Sequence, residues 1–174
     1  VEGWALADWQ RALESAPGIR LAHRESKPEV LNSSENDLGT RGEGWFMPDT
    51  YQYEWGTAAD TVYARANQAM VSELQRWIAT VHVESAFSDQ DRGVINHFEA
   101  RDWLTLASMV EKESSHFDDQ RQIARVFLNR LALGMRLQSD PTVIYALGSE
   151  FDGDLTRRDL KVDAPHNTYR HKGL

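Results

Sequence analysis

Asp102-Trp103-Leu104-Thr105-Leu106-Ala107-Ser108-Met109-Val110-Glu111-Lys112-Glu113-Ser114-Ser115 is the stretch that decides the fold. On a helical wheel Trp103, Leu106, Met109 and Val110 gather in one sector with Ala107 at its edge, so the spacing predicts an amphipathic helix over 100–115. Of the three charges near its end, Lys112 falls on the far side, Glu111 on the margin, and Glu113 inside the apolar sector. Glu113 is therefore expected to point toward the interior. Loss of hydration against Leu106, Met109 and Val110, the negative end of the helix dipole, and Asp118 and Asp119 nearby would then favour a protonated carboxyl. That is the form a general acid needs. The competing reading is a half-exposed Glu113 paired with Arg121 or Arg125 of the following helix.

Working outward, the neighbouring segments also read as helices. A pattern over 118–133 turns Ile123, Val126, Phe127 and Leu131 inward and ends on Gly134 as a C-terminal cap. Upstream, Thr57-Ala58-Ala59-Asp60 resembles a capping box and opens the longest helical pattern, through Val62, Ala66, Met70, Leu74, Trp77 and Val81. A short amphipathic helix over 5–15 carries Leu6, Trp9 and Leu13 and is broken by Pro17-Gly18. Between these pieces, 23–42 reads as a long polar loop, Pro48-Asp49 as a buried turn with large side chains on both flanks, and 88–93 as a polar break. Asp140-Pro141 is read as forbidding a helix across that bond, and 148–174 shows no clear period. Trp9, Trp77 and Trp103 lie on apolar stripes and are expected in the core; Trp45 and Trp55 are open between packing and ligand contact.

Composition narrows the function classes. With 174 residues the chain can bury about 70% of its unfolded surface in one domain, or one domain and a small lobe. Its 27 acidic and 19 basic residues give a formal charge of −8, with no basic cluster, which argues against nucleic acid as the main partner. There is no cysteine, so no thiolate nucleophile and no cysteine-based metal site. The six histidines form no HExxH pattern, and the spacing of His166 and His171 suits neither a helix face nor a strand. No GxSxG elbow and no glycine-rich phosphate loop occurs. No uncharged apolar run approaches the roughly 20 residues that cross a bilayer. Because the chain opens on Val1 and closes on Gly173-Leu174, it is expected to be a piece of a longer precursor with any anchor outside it.

Five blocks carry the pattern around Glu113. Ala107-Ser108-Met109-Val110-Glu111-Lys112-Glu113-Ser114, Ile123 to Leu131, and Gly134-Met135-Arg136-Leu137-Gln138-Ser139-Asp140-Pro141-Thr142-Val143-Ile144-Tyr145 follow in order. Glu43-Gly44-Trp45-Phe46-Met47-Pro48-Asp49-Thr50-Tyr51 precedes them and Asn167-Thr168-Tyr169 follows. Together they resemble the signature of the endolytic murein transglycosylases, the YceG-like family, over most of the chain. The resemblance implies a bacterial enzyme held at the inner membrane by an N-terminal helix outside this chain. It would work on the periplasmic side on peptidoglycan glycan strands, with cell-wall synthesis enzymes as further candidate partners. The second glutamate of the family's EKE triplet is the catalytic one, which maps onto Glu113.

Such an enzyme needs only one carboxyl, since the 6-hydroxyl of the substrate's own MurNAc replaces the water or second carboxylate of an ordinary glycosidase. Neither metal nor cofactor is implied. The same match suggests Glu43, Asn129, Gln138, Ser139, Asp140, Thr142, Tyr145, Asn167 and Tyr169 as a polar wall for sugar groups. Asp49 is read rather as a turn former. Three departures stand out: His166 replaces a usual tyrosine, Ser139 a common threonine, and the sequence halts where the family continues, so one wall of the groove is expected to be missing.

The expected fold is α+β, a mainly helical catalytic domain with a small irregular, β-containing portion. Residues 1–42 would form the N-terminal helix and connecting loop, as a remnant of a preceding LysM-like lobe, and 43–174 the catalytic domain, truncated at its C-terminal end. Two alternatives stay open: a non-catalytic peptidoglycan-binding module, and a two-carboxylate glycoside hydrolase pairing Glu113 with Glu43 or Asp49.

Overall fold

A computed structural model describes residues 3–21, 42–81 and 87–174. It forms two compact units, Val1–Val83 and Glu84–Leu174. Among the described residues there are six α-helices: α1 Leu6–Ser15, α2 Ala59–Val81, α3 Asp89–Ile95, α4 Ala100–Glu113, α5 Phe117–Ala132 and α6 Asp140–Leu147. The β content of the described residues is one isolated parallel bridge between Arg20 and Ala58. The described residues are thus mainly helical, and no β-containing portion beyond that bridge appears among them. No described helix is long and apolar enough to cross a membrane. The loop expected over 23–42 lies outside the described residues, apart from Gly42.

The first unit is built around Trp9. Trp9 and Leu13 of α1 are buried with Phe46, Ala59, Val62, Tyr63 and Ala66. Trp9 lies 5.5 Å from Phe46, 5.9 Å from Tyr51 and 6.4 Å from Tyr63 between ring centroids. Both flanks of the Pro48-Asp49 turn therefore pack inward, while Asp49 itself is exposed and accepts from the Thr50 amide at 2.7 Å. Because this one core joins α1 to residues 46–66, packing does not divide the chain at 42/43. Trp77 departs from expectation. It is 40% exposed, although Leu74 one turn earlier on the 23-residue α2 is buried.

The second unit packs α3 and α4 on α5, and α6 on α4. Ile95, Trp103, Leu106, Met109, Phe127, Leu128, Leu137 and Val143 are its buried apolar side chains. The helix read from the opening stretch is present as α4, two residues shorter than its periodic pattern. On α5 the inward set is shifted: Phe127 and Leu128 are buried, whereas Val126 is 46% exposed. The end of α5 is a Schellman cap, in which Gly134, at φ +61°, lets its own amide reach the Leu131 carbonyl and Met135 the Arg130 carbonyl.

Two helices stand where none was expected. Over the polar break, α3 is started by a reciprocal cap: Ser88 Oγ accepts from the Asp91 amide at 3.2 Å, and Asp91 Oδ2 accepts from the Ser88 amide at 2.8 Å. At Asp140-Pro141, α6 begins rather than breaks, because proline in a first turn lacks only an N–H that has no helical partner there.

Candidate active site

Three segments of the second unit build the site: the end of α4, the turn into α6, and residues 167–169. Gln138 makes the turn. At φ +54° it is the only described non-glycine residue with a left-handed backbone, and its amide donates to the Thr168 carbonyl at 3.2 Å. Holding a β-carbon there costs about 1 kcal/mol. The strain rotates the next residue, Ser139, into the protein, where it is 1% exposed.

Ser139 is the hub. Its amide donates to Thr168 Oγ1 at 3.0 Å, and its carbonyl accepts from Thr142 Oγ1 at 2.7 Å. The Thr142 and Thr168 hydroxyls lie 2.9 Å apart. With these partners fixed, the Ser139 hydroxyl is aimed outward and donates to Glu113 Oε2 at 2.9 Å.

Glu113 itself is exposed. This overturns the expectation that Leu106, Met109 and Val110 dry its carboxyl. The helix ends at Glu113, so no following turn covers it, and the side chain projects from the last residue of α4 into solvent. The arginine alternative is not realised either: among the described residues neither Arg121 nor Arg125 forms an ion pair with Glu113, and Arg125 pairs with Asp91.

Beside this carboxylate stands a second acid with a phenol on it. Asp140, exposed at the start of α6, accepts from Tyr169 OH at 2.6 Å. That hydrogen bond, then burial, then the negative charges of Asp140 and Glu113 push the Tyr169 phenol up to about 12, against the opposing charge of Arg130. Tyr169 is thus a neutral donor near Glu113 at any ordinary pH. The Arg130 side chain bonds the Leu137 carbonyl and so steadies the strand of chain leading into Gln138.

The remaining wall residues separate by burial. Ser139, Thr142 and Asn167 are 1%, 7% and 0% exposed, so they form an inner layer rather than a sugar-facing wall. Asn167 spends its amide on the Leu160 and Val162 carbonyls at 3.2 and 2.8 Å, and its oxygen accepts from the Tyr169 amide at 2.9 Å. Gln138, Asp140 and Tyr145 are exposed, and Tyr145 stacks edge-on against His166 at 5.1 Å. Asn129 is exposed on α5 and joins no hydrogen bond of this cluster. Glu43 belongs to the first unit, where its two carboxylate oxygens accept from the Leu6 amide at 3.2 Å and cap α1. Trp45 is buried and Trp55 is 85% exposed. Thr168, central to the network, was quoted within the Asn167-Thr168-Tyr169 block but not assigned to the polar wall; its place between two assigned residues was the available signal.

Comparison with known proteins agrees with these motifs. The family model described as YceG-like matches residues 1–174. A Bacillus subtilis (strain 168) protein named endolytic murein transglycosylase is 36% identical over 85% of this chain, which covers 39% of that relative. A Streptococcus pneumoniae protein of the same name is 30% identical over 84% of the chain, which covers 25% of it. The chain thus spans well under half the length of these curated relatives. A solved structure of a YceG-like protein from Listeria monocytogenes superposes with a TM-score of 0.61 at 32% identity, over 97% of this chain and 48% of its own. With its motifs in order and the family matched from end to end, the chain belongs to the YceG-like family.

Proposed function

We propose that this chain carries the catalytic centre of an endolytic peptidoglycan lytic transglycosylase acting on the periplasmic side of the bacterial inner membrane. The supporting observation is the exposed Glu113 carboxylate held from beneath by the buried Ser139 hydroxyl, in a family whose curated relatives bear the transglycosylase name. Glu113 donates its proton to the oxygen leaving MurNAc C1 as the β-1,4 bond breaks. Its conjugate base then accepts the proton of the same sugar's C6 hydroxyl, whose oxygen bonds to C1 and closes a 1,6-anhydro ring. The proton lost in the first half is regained in the second, so neither water, metal nor cofactor is consumed.

The attack is intramolecular, so the substrate supplies much of the orientation. A glycan lying over the exposed carboxyl displaces its water and strengthens the hydrogen bond to the glycosidic oxygen. Tyr169, neutral and with its one proton given to Asp140, is placed to accept from a sugar hydroxyl, with Asp140, Gln138 and Tyr145 as the other exposed polar contacts.

Mass spectrometry of glycan strands incubated with the full-length protein tests this. The expected product is internal cleavage with anhydro-MurNAc ends, lost in Glu113→Gln. Reducing MurNAc ends would replace the reading with a hydrolase, unchanged strands with a binding module, and full activity of Glu113→Gln would remove the assigned acid.

A further inference from the structure

Next to the Glu113 cluster the second unit has a shallow recess lined by Arg157, Leu160, Lys161, Tyr169 and Arg170. Three cations and no carboxylate line it, in a chain whose formal charge is −8. Arg170 Nη1 donates to the Lys161 carbonyl at 2.9 Å, tying two sides of the recess together, while its Nη2 faces Asp163 at 3.5 Å. Arg157 and Lys161 have no ion-pair partner among the described residues. The walls are fixed from below by the fully buried Asn167, which bonds the carbonyls of Leu160 and Val162 and the amide of Tyr169. The recess is therefore preformed, and two of its three charges are uncommitted.

Tyr169 belongs to both places. One side of it lines the recess, and its hydroxyl bonds Asp140 within reach of the Glu113 charge. An anionic group carried by a molecule that lies on Glu113 can therefore reach the recess past Tyr169. On the reading given under Proposed function, the reacting C1 belongs to MurNAc, whose C3 lactyl group bears an acidic peptide stem on the same ring. What that ring carries has to leave beside the residues flanking Glu113.

We propose that the Arg157–Lys161–Arg170 recess is a carboxylate subsite for the stem peptide, so that the enzyme prefers strands whose stems are still attached. The inference rests on the transglycosylase reading for its ligand. Phosphate groups of an anionic wall polymer share the oxyanion chemistry and are separated from carboxylates by the test.

The full-length protein and its Arg157→Gln/Lys161→Gln double variant are compared in two measurements. In the first, KM for anhydro-end formation is determined on stem-bearing strands and on strands stripped by an amidase. The wild type should show a KM about fivefold lower on stem-bearing strands, and the double variant a ratio near one. In the second, binding of a free stem pentapeptide is followed by calorimetry with and without inorganic phosphate. Binding should weaken about tenfold in the double variant and survive phosphate at equal concentration. Equal KM values in the wild type, an unchanged ratio in the variant, or displacement of the peptide by equimolar phosphate would overturn the subsite. Peptide binding that depends on Arg157 and Lys161 in a protein forming no anhydro ends would uphold the recess and sink the transglycosylase reading instead.

Discussion

Ser139, buried, donates its hydroxyl at 2.9 Å to Glu113, exposed, so the rigid interior sets the direction of a carboxylate that solvent would otherwise leave free. The serine does not touch the sugar in this arrangement; it acts through the glutamate. Removing it in Ser139→Ala leaves the Thr168 and Thr142 bonds to its backbone in place, so the fold should persist. A hydrogen bond of this kind is worth about 0.5–1.5 kcal/mol net, and a loss of up to roughly tenfold in kcat is expected with KM nearly unchanged. Ser139→Thr, which keeps the hydroxyl, should restore most of it. An alanine variant that loses KM rather than kcat would make Ser139 a binding residue.

The phenols of Tyr63 and Tyr169 are both pushed up to about 12, the first by burial, the second chiefly by its bond to Asp140. A group raised in the folded state contributes stability that is complete below its unfolded value, about 10, and is lost as pH climbs through its folded value. Alkaline destabilisation should therefore set in between about pH 10 and 12. Burial and Asp49 raise Tyr51 as well, so phenolate absorbance should show three late-titrating tyrosines in the native protein, and Tyr169→Phe should remove one of them. A single titration step shared by every tyrosine would contradict these shifts.

Amphipathic spacing made α1, α2, α4 and α5 legible, because each buries one stripe against a partner and the stripe is written in the residue pattern. Short α3 has no such stripe; its only signature is the Ser88 and Asp91 cap, the same logic that marked Thr57 and Asp60 but masked here by Gly93 and the charges around it. The start of α6 was hidden because Pro141 reads as a breaker until one knows it occupies the first turn. In the site, the motifs brought Glu113, Ser139, Asp140, Thr142, Asn167 and Tyr169 to one place, yet not their layering. A wheel assigns a direction but not a cover, and at the last residue of a helix nothing need cover it. That is why Glu113 faces the interior on paper and solvent in the fold.

Asp91 is fully buried and bonds both Ser88 and the half-exposed Arg125. Burial alone would raise its carboxyl, but the hydrogen bonds from Ser88 and Arg125 outweigh it and hold the group below its ordinary value. A depressed carboxyl contributes stability that is present above its unfolded value, about 4, and is lost as pH falls toward the folded one. Acid unfolding should accordingly steepen below about pH 4, and Asp91→Asn should flatten that limb. Arg125→Met strands the buried carboxylate and should cost about 2 kcal/mol at neutral pH, less than a fully buried pair because half of the arginine already meets water. Denaturant melts at pH 7 and pH 3.5 measure both effects, and an Arg125→Met variant as stable as the parent would show that the pair does not tie α3 to α5.

Two glycines separate backbone strain from crowding. Gly134 sits at φ +61° with nothing within 4 Å of where a β-carbon would stand, so Gly134→Ala should cost only the left-handed backbone penalty, about 1 kcal/mol. Gly18 is equally left-handed at φ +77°, but its β-carbon would lie 2.6 Å from the Trp55 ring. Gly18 also accepts from the Gly56 amide at 2.7 Å, and Tyr53 OH donates to the Pro17 carbonyl at 3.0 Å, so the loop holding Trp55 has little room to retreat. Gly18→Ala should therefore destabilise by more than Gly134→Ala, by about a further 1–2 kcal/mol, and should change the emission of the exposed Trp55. Removing the ring in Gly18→Ala/Trp55→Ala should return the cost to the backbone term alone. Equal destabilisation of the two single variants would mean that Trp55 yields freely and that the loop is not held against Gly18.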